Sequence, residues 1–122
     1  MTLKIYEYKN CDTCRKALQF LEQKEIEYKK LPIVEQPPSL SELEKMLSFV
    51  KADGGSIKNL FNTSGVQYRE LAISQKIKDG LTEKEALKLL SENGKLIKRP
   101  FLLAQNYGLV GIKKEAWEKQ LK

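Results

Sequence analysis

The chain contains no histidine. That removes imidazole as a general base, excludes a Ser-His-Asp triad and excludes every metal site that needs a histidine ligand. Cysteine is nearly absent as well: 122 residues include only Cys11 and Cys14. Two thiolates cannot close a four-thiolate zinc site alone, and in a reducing compartment they are not expected to act as a structural staple. Arginine is scarce, with Arg15, Arg69 and Arg99 the only three among 22 basic residues. Nucleic-acid readers concentrate arginine in a stripe with aromatics. Here lysine is scattered and interleaved with glutamate, so the net charge of +6 reads as a solvated surface and no direct nucleic-acid contact is expected. The positive excess would still favour anionic substrates or an acidic protein surface. No apolar run approaches the ~20 residues of a membrane helix. The segment Met1-Thr2-Leu3-Lys4-Ile5-Tyr6 lacks the apolar stretch of a signal peptide. The expectation is a cytoplasmic protein with no membrane contact.

What is present is a globular balance, 41% hydrophobic and 31% charged, in a length that suits a single domain over residues 1–122. Leu3 to Tyr8 alternates apolar and polar residues and predicts a strand. From Asp12 the period changes: Cys14, Ala17, Leu18 and Leu21 share one helical face. A second strand is expected within Ile26–Val34, ending near Pro32. Strand, turn, helix and strand form a βαβ unit, normally a parallel pair with a right-handed crossover. Pro37-Pro38 ends that unit. Residues 36–94 then read as mostly helical. Ser39 with Glu42 and Thr82 with Glu85 form capping boxes, Lys58–Phe61 and Gln67–Ala72 look like short helical turns, and Asn93-Gly94 is a helix stop. Phe101–Ala104 and Leu109–Ile112 flank a turn and predict a β-hairpin. A last helix from Lys113 can turn Ala116, Trp117 and Leu121 inward. The total is an α/β chain, βαβ…ββα, with a helical insert and helices on both sides of a small mixed sheet.

The chemistry narrows to Cys11-Asp12-Thr13-Cys14 between the first strand and first helix. A thiol at that junction faces free backbone N–H groups and the positive end of the helix dipole, which lower its pKa below the free value of ~8.5. Cys14, in the first helical turn, is close enough to attack a disulfide formed at Cys11. A Cys-x-x-Cys in such a setting reads as a redox motif, with one thiol the nucleophile and the other resolving it. Arg99, just before Pro100, is a candidate to stabilise the thiolate and hold an oxyanion through its planar fork. Arg15 sits in the first turn, where a cation opposes the dipole, and is a weaker candidate of the same kind. Asn10 and Thr13 are candidates to bind an anion or, more simply, to cap the helix. Asp12 adds a negative charge that would oppose the thiolate.

Cys11-Asp12-Thr13-Cys14-Arg15-Lys16-Ala17, Phe61-Asn62-Thr63-Ser64-Gly65, Tyr68-Arg69-Glu70-Leu71, Leu96-Ile97-Lys98-Arg99-Pro100 and Val110-Gly111-Ile112-Lys113 span nearly the whole chain. Together they resemble the arsenate reductase (ArsC)-like family, which includes the Spx redox-sensing regulators, and look most like its YusI-like branch. The resemblance implies a thioredoxin-like core over about 1–35 and 95–122, a helical insert over about 36–94, and a cis bond at Pro100. It implies Cys11 as nucleophile, Cys14 as the second thiol of an Spx-type switch, and Arg99 as an oxyanion-binding arginine; Asn10, Thr13, Arg15 and Pro100, next to these residues in sequence, are the candidates for the substrate side. Two other arginines of the reductases are missing: their places fall near Phe61-Asn62 and near Ile112, where Lys113 and Lys114 are the nearest cations. The histidine before the reductase nucleophile is missing too. Two functions follow from the resemblance. One is a thiol–disulfide oxidoreductase acting on an oxidised thiol or an oxyanion, with no bound cofactor and an external reductant such as glutathione, glutaredoxin or thioredoxin. The other is a regulator that binds RNA polymerase through the carboxy-terminal domain of its α subunit.

Overall fold

The computed structural model describes residues 3–8, 11–63, 65–111 and 114–120. β1 (Leu3–Glu7), α1 (Asp12–Gln23) and β2 (Tyr28–Pro32) form the expected unit, with the strands parallel from Leu3↔Tyr28 to Glu7↔Pro32. β3 (Phe101–Leu103) pairs antiparallel with β1, and β4 (Gly108–Val110) pairs antiparallel with β3. The sheet order is β2-β1-β3-β4, a mixed four-stranded sheet with β1 and β3 at its centre. The fold is the mixed α/β, thioredoxin-like arrangement anticipated from the sequence.

Central strands must bury both faces, and the side-chain period of two divides them accordingly. Leu3 and Ile5 of β1 and Leu102 of β3 pack with Ala17 and Leu21 of α1 and with Trp117 of α6 (Lys114–Gln120). Tyr6 of β1 and Phe101 and Leu103 of β3 face the other way. There they join Leu43, Met46 and Leu47 of α2 (Leu40–Ala52) and Ala86, Leu87 and Leu90 of α5 (Glu83–Glu92). The helices between β2 and β3 therefore share one core with a face of the sheet. The Trp117 indole donates from Nε1 to the Gly111 carbonyl at 3.1 Å and ties α6 to the end of β4. Leu121 lies outside the described residues, as does the side chain of Ala116.

Both anticipated capping boxes form, at Ser39/Glu42 and Thr82/Glu85. Glu42 does more than close its box. It accepts from the Tyr6 hydroxyl at 2.8 Å and from the Lys4 ammonium at 3.2 Å, fastening the start of α2 to β1. Burial disfavours its ionised form most strongly among the single effects, but the Ser39 amide, Tyr6 and Lys4 together hold its pKa below the ordinary value.

Several local readings shift. The turn at Lys58–Phe61 is a 3-10 turn over Ile57–Leu60, and Phe61 leaves it to bridge with Ile97. The turn at Gln67–Ala72 is α3 (Val66–Glu70). Ile73–Lys78 forms α4, which has no signal in the sequence, because its N-cap Ala72 sits in the left-handed region at φ 50° and offers no capping side chain. β4 begins at Gly108 and ends before Gly111, whose φ of +70° turns the chain out of the strand. Gly94 is not the left-handed cap that its position after α5 suggests. Asn93 ends the helix in an extended conformation, and Gly94 starts a 3-10 turn, Gly94–Leu96. Glycine is needed there because a Cβ would fall on the carbonyl oxygen of Ile33, with the carbonyl carbon at 2.7 Å.

That contact sets a test of the packing between α5 and the end of β2. The obstructing atoms are backbone and cannot swing aside, so Gly94→Ala should destabilise the protein by about 1–3 kcal/mol, as overpacked sites do. Urea unfolding would read this as a lower midpoint with unchanged slope, and an unchanged midpoint would mean the Ile33 carbonyl yields freely.

Candidate active site

β1 ends at Glu7 in the middle of the sheet, and α1 begins at Asp12. Cys11 is the N-cap, in extended geometry at φ −109° and ψ 116°. Its N–H donates to the Tyr8 carbonyl at 3.2 Å, and its carbonyl accepts from the Arg15 N–H at 3.1 Å. Cys11 is half-buried, and its Sγ lies 2.9 Å from the Thr13 hydroxyl. Cys14 is fully buried on the α1 stripe with Ala17 and Leu21, and its Sγ accepts from the Tyr8 N–H at 3.5 Å. Both thiols are free.

The same short segment tunes the two sulfurs in opposite directions. Burial raises the Cys11 pKa and is the largest single effect on it. The Thr13 hydroxyl, the Cys14 thiol and amide, and the positive charge of Arg99 together outweigh it and hold Cys11 below the ordinary value. Cys14 is pushed up to about 12, chiefly by burial, against a lowering by the Tyr8 N–H; the charges of Cys11 and Glu7 push it further. The arrangement makes Cys11 the more readily ionised of the two thiols and keeps Cys14 protonated.

Arg99, which comes from the far end of the chain, acts on Cys11 by its charge. The segment before it is pinned by the Lys98 N–H to the Leu60 carbonyl at 2.8 Å, and its guanidinium lies over the Tyr8 ring, 4.5 Å from the centroid. The Arg99–Pro100 bond is cis and Pro100 is buried. Thr13 does not cap the helix; its hydroxyl goes to the Cys11 sulfur instead. Arg15 is not brought to the thiol. It is exposed and ion-paired to Asp12 along the first turn, which explains a cation there and also compensates the Asp12 charge. Asn10 lies outside the described residues. Of the positions where the reductases carry further arginines, Phe61 is buried in the core, while Ile112 and Lys113 lie outside the described residues.

Two residues at this site carry no signal in the sequence. Tyr8 contacts Cys11, Cys14 and Arg99, but two of these three contacts are made by its backbone. Glu7 acts on Cys14 by charge alone. Among the described residues no group of three or more cysteine or carboxylate side chains is arranged to hold a metal ion. A cavity of about 350 Å³ between α2 and β4, lined by Phe49, Val50, Lys98 and Val110, is bordered by neither cysteine.

Comparison with known proteins shows the family and the fold. The ArsC family matches residues 6–120. YusI of Bacillus subtilis is 40% identical over 119 residues, covering 98% of each chain. The global transcriptional regulator Spx of Streptococcus agalactiae is 27% identical over 106 residues, 87% of this chain and 73% of its own. A crystal structure of an ArsC family related protein from Bacteroides fragilis superimposes with a TM-score of 0.90 at 42% identity, covering 100% of this chain and 98% of the other. A crystal structure described as a possible arsenate reductase, from Streptococcus mutans, has a TM-score of 0.81 at 34% identity over 96% and 98%. The chain belongs to the ArsC family and is related both to its arsenate reductases and to the Spx regulators.

Proposed function

We propose that the chain is a small thiol–disulfide oxidoreductase that uses Cys11 as nucleophile and Cys14 as resolving thiol. The observation that carries this reading is the opposite tuning of two neighbouring sulfurs, one half-exposed with a lowered pKa and one buried and raised to about 12. A structural pair or a pair of inert core thiols has no need of that difference.

The steps follow from it. The Cys11 thiolate attacks one sulfur of a substrate disulfide, the substrate S–S bond breaks, and the departing thiolate takes a proton from water. Capping Cys11 removes its negative charge, one of the effects that hold Cys14 protonated. Cys14 then attacks the Cys11 sulfur, its proton passing to the substrate thiolate that leaves, and a Cys11–Cys14 disulfide remains. Two electrons from an external thiol, of the glutathione, glutaredoxin or thioredoxin type, restore the dithiol. Arg99 stabilises the thiolate by charge, with Thr13 as its hydroxyl partner. Asn10 is assigned to the substrate side as a candidate hydrogen-bond donor beside the helix start, and Pro100 by its place next to Arg99.

A second reading, a redox-sensing transcriptional regulator, is favoured by one finding: several relatives of this chain are named as Spx. There the thiol pair is a switch, and the partner is RNA polymerase, contacted at the carboxy-terminal domain of its α subunit. Binding to that domain that changes between the reduced and oxidised protein, without catalytic disulfide turnover, would select this reading.

The enzyme reading is tested with a defined disulfide, bis(2-hydroxyethyl) disulfide, and mass spectrometry. Wild type should end as the intramolecular disulfide, while Cys14→Ser, left with Cys11 as its single thiol, should accumulate the mixed disulfide. Direct formation of a Cys11–Cys14 disulfide without passage through a Cys11 adduct would overturn the order of steps, and no adduct in Cys14→Ser would overturn the nucleophile.

Iodoacetamide labelling tests the tuning. Cys11 should label at pH 7 with a pH midpoint below the free value of ~8.5, and Cys14 should stay unlabelled until the protein unfolds. Earlier labelling of Cys14 would reverse the roles. Arsenate turnover should be weak with either glutaredoxin or thioredoxin as donor. Each missing arginine forfeits charge-assisted contacts worth about 2 kcal/mol, and lysine does not reproduce the fork. Saturable arsenate reduction abolished by Cys11→Ser would show that other groups hold the oxyanion.

A further inference from the structure

We propose that Tyr8 is the positioning residue of this site, its ring serving as the platform that keeps the Arg99 guanidinium beside Cys11. The inference rests on the reading of Cys11 as the reactive thiol and says how its charge partner is held.

Arg99 comes from a segment about ninety residues distant in sequence, just ahead of β3, and a long side chain there has many rotamers. Among the described residues no carboxylate pairs with it; the ion pairs are Lys4–Glu42, Asp12–Arg15 and Lys51–Glu83. Its one described contact of fixed geometry is the Tyr8 ring, with the guanidinium carbon 4.5 Å from the ring centroid. A cation over an aromatic face is attracted by the ring's negative centre, and arginine stacks there well. The ring does not bring a compensating negative charge, as a carboxylate would. The guanidinium therefore keeps its full charge for an anion at Cys11.

The platform is itself fixed. Tyr8 is half-buried against the larger core cluster. Its carbonyl accepts from the Cys11 N–H at 3.2 Å and its N–H donates to the Cys14 sulfur at 3.5 Å. One residue thus sets the relative positions of both sulfurs through its backbone and of the cation through its side chain. The other groups that bear on Cys11 are Thr13 and Cys14 on α1, with Asp12 and Arg15 exposed and paired to each other; Glu7 of β1 bears on Cys14. None of these needs to move when the Tyr8 ring is changed. Substitution at Tyr8 also leaves both backbone contacts in place, which isolates the ring.

The test is the pH dependence of Cys11 alkylation in Tyr8→Phe, Tyr8→Leu, Arg99→Ala and the Tyr8→Leu/Arg99→Ala double variant, all made in Cys14→Ser so that one thiol is read. Tyr8→Phe keeps the ring and should match the parent. Tyr8→Leu should raise the midpoint by about half a pH unit, a roughly threefold slower reaction at pH 7. In the Arg99→Ala background the same substitution should add nothing, because the cation it positions is gone. A full shift in Tyr8→Phe would overturn the proposal by assigning the effect to the hydroxyl. An undiminished shift in the double variant would overturn it by showing that the ring acts without Arg99, and an unchanged midpoint in Tyr8→Leu would show that Arg99 holds its place unaided. A parent protein whose Cys11 midpoint is already that of a free thiol is a different failure, that of the nucleophile assignment itself. Urea midpoints of the variants separate a shift in titration from a loss of fold.

Discussion

The site depends on one constraint: a helix that starts directly off a central strand presents its first N–H groups at a point where the protein supplies no side-chain oxygen to cap them. Cys11 occupies the N-cap, and its thiol makes no capping bond. A thiol is a poor acceptor and a thiolate a good one, so the unmet donors of α1 act on the ionisation of Cys11 rather than on helix stability. A serine in the place of Cys11 would cap the helix in the usual way, and the field would then act on no ionisable sulfur. Thr13 adds to the field, with its hydroxyl 2.9 Å from Cys11 Sγ.

The rest of the molecule fixes the two ends of this arrangement. β1 is held between β2 and β3, with apolar side chains on both faces and Glu42 gripping Lys4 and Tyr6 from α2. The tip of β1 therefore has little freedom, and Cys11 inherits its position. Arg99 is delivered separately. Its segment is clamped to the helical part of the chain through the Phe61↔Ile97 bridge, the Lys98-to-Leu60 bond and the Asn62 N–H to the Leu96 carbonyl at 2.7 Å. The helices between β2 and β3 thus do more than cover one face of the sheet; they hold the run from Leu96 to Lys98 that leads into the arginine.

Much of this is legible in the sequence, for identifiable reasons. β1, α1 and the two capped helices announce themselves through period and capping boxes, which are local. Cys11 and Cys14 stand out because nothing else in a chain without histidine can carry comparable chemistry. The features that stay hidden are of another kind. α4 starts from Ala72 in a left-handed conformation that no residue type there advertises. Gly94 reads as a helix stop, whereas its real requirement is the approach of the Ile33 backbone from sixty-one positions away. Arg15 looks purposeful beside Cys14, yet it is satisfied by Asp12 three residues earlier on the exposed side. Tyr8 is invisible because its role is carried by main-chain atoms and by a ring contact with Arg99. Long-range backbone contacts leave no periodic trace in a sequence.

The asymmetry between the two thiols is itself a consequence of spacing. Cys14, Ala17 and Leu21 fall three and then four residues apart, the stripe by which α1 meets the sheet, and all three are buried. Cys11 is three residues before Cys14 but lies ahead of the helix, where the backbone is extended. The stripe therefore stops short of it: the second sulfur must enter the core and the first need not. A pair of thiols placed wholly inside a helix would share one environment and one pKa direction. Placed across the helix start, the same two residues are separated by the change in backbone geometry, so that burial raises Cys14 while the hydroxyl, amide and guanidinium groups around Cys11 lower it. The unequal pair here is made without histidine, by an apolar stripe that begins at the second cysteine and by the hydroxyl, amide and guanidinium groups that act on the first.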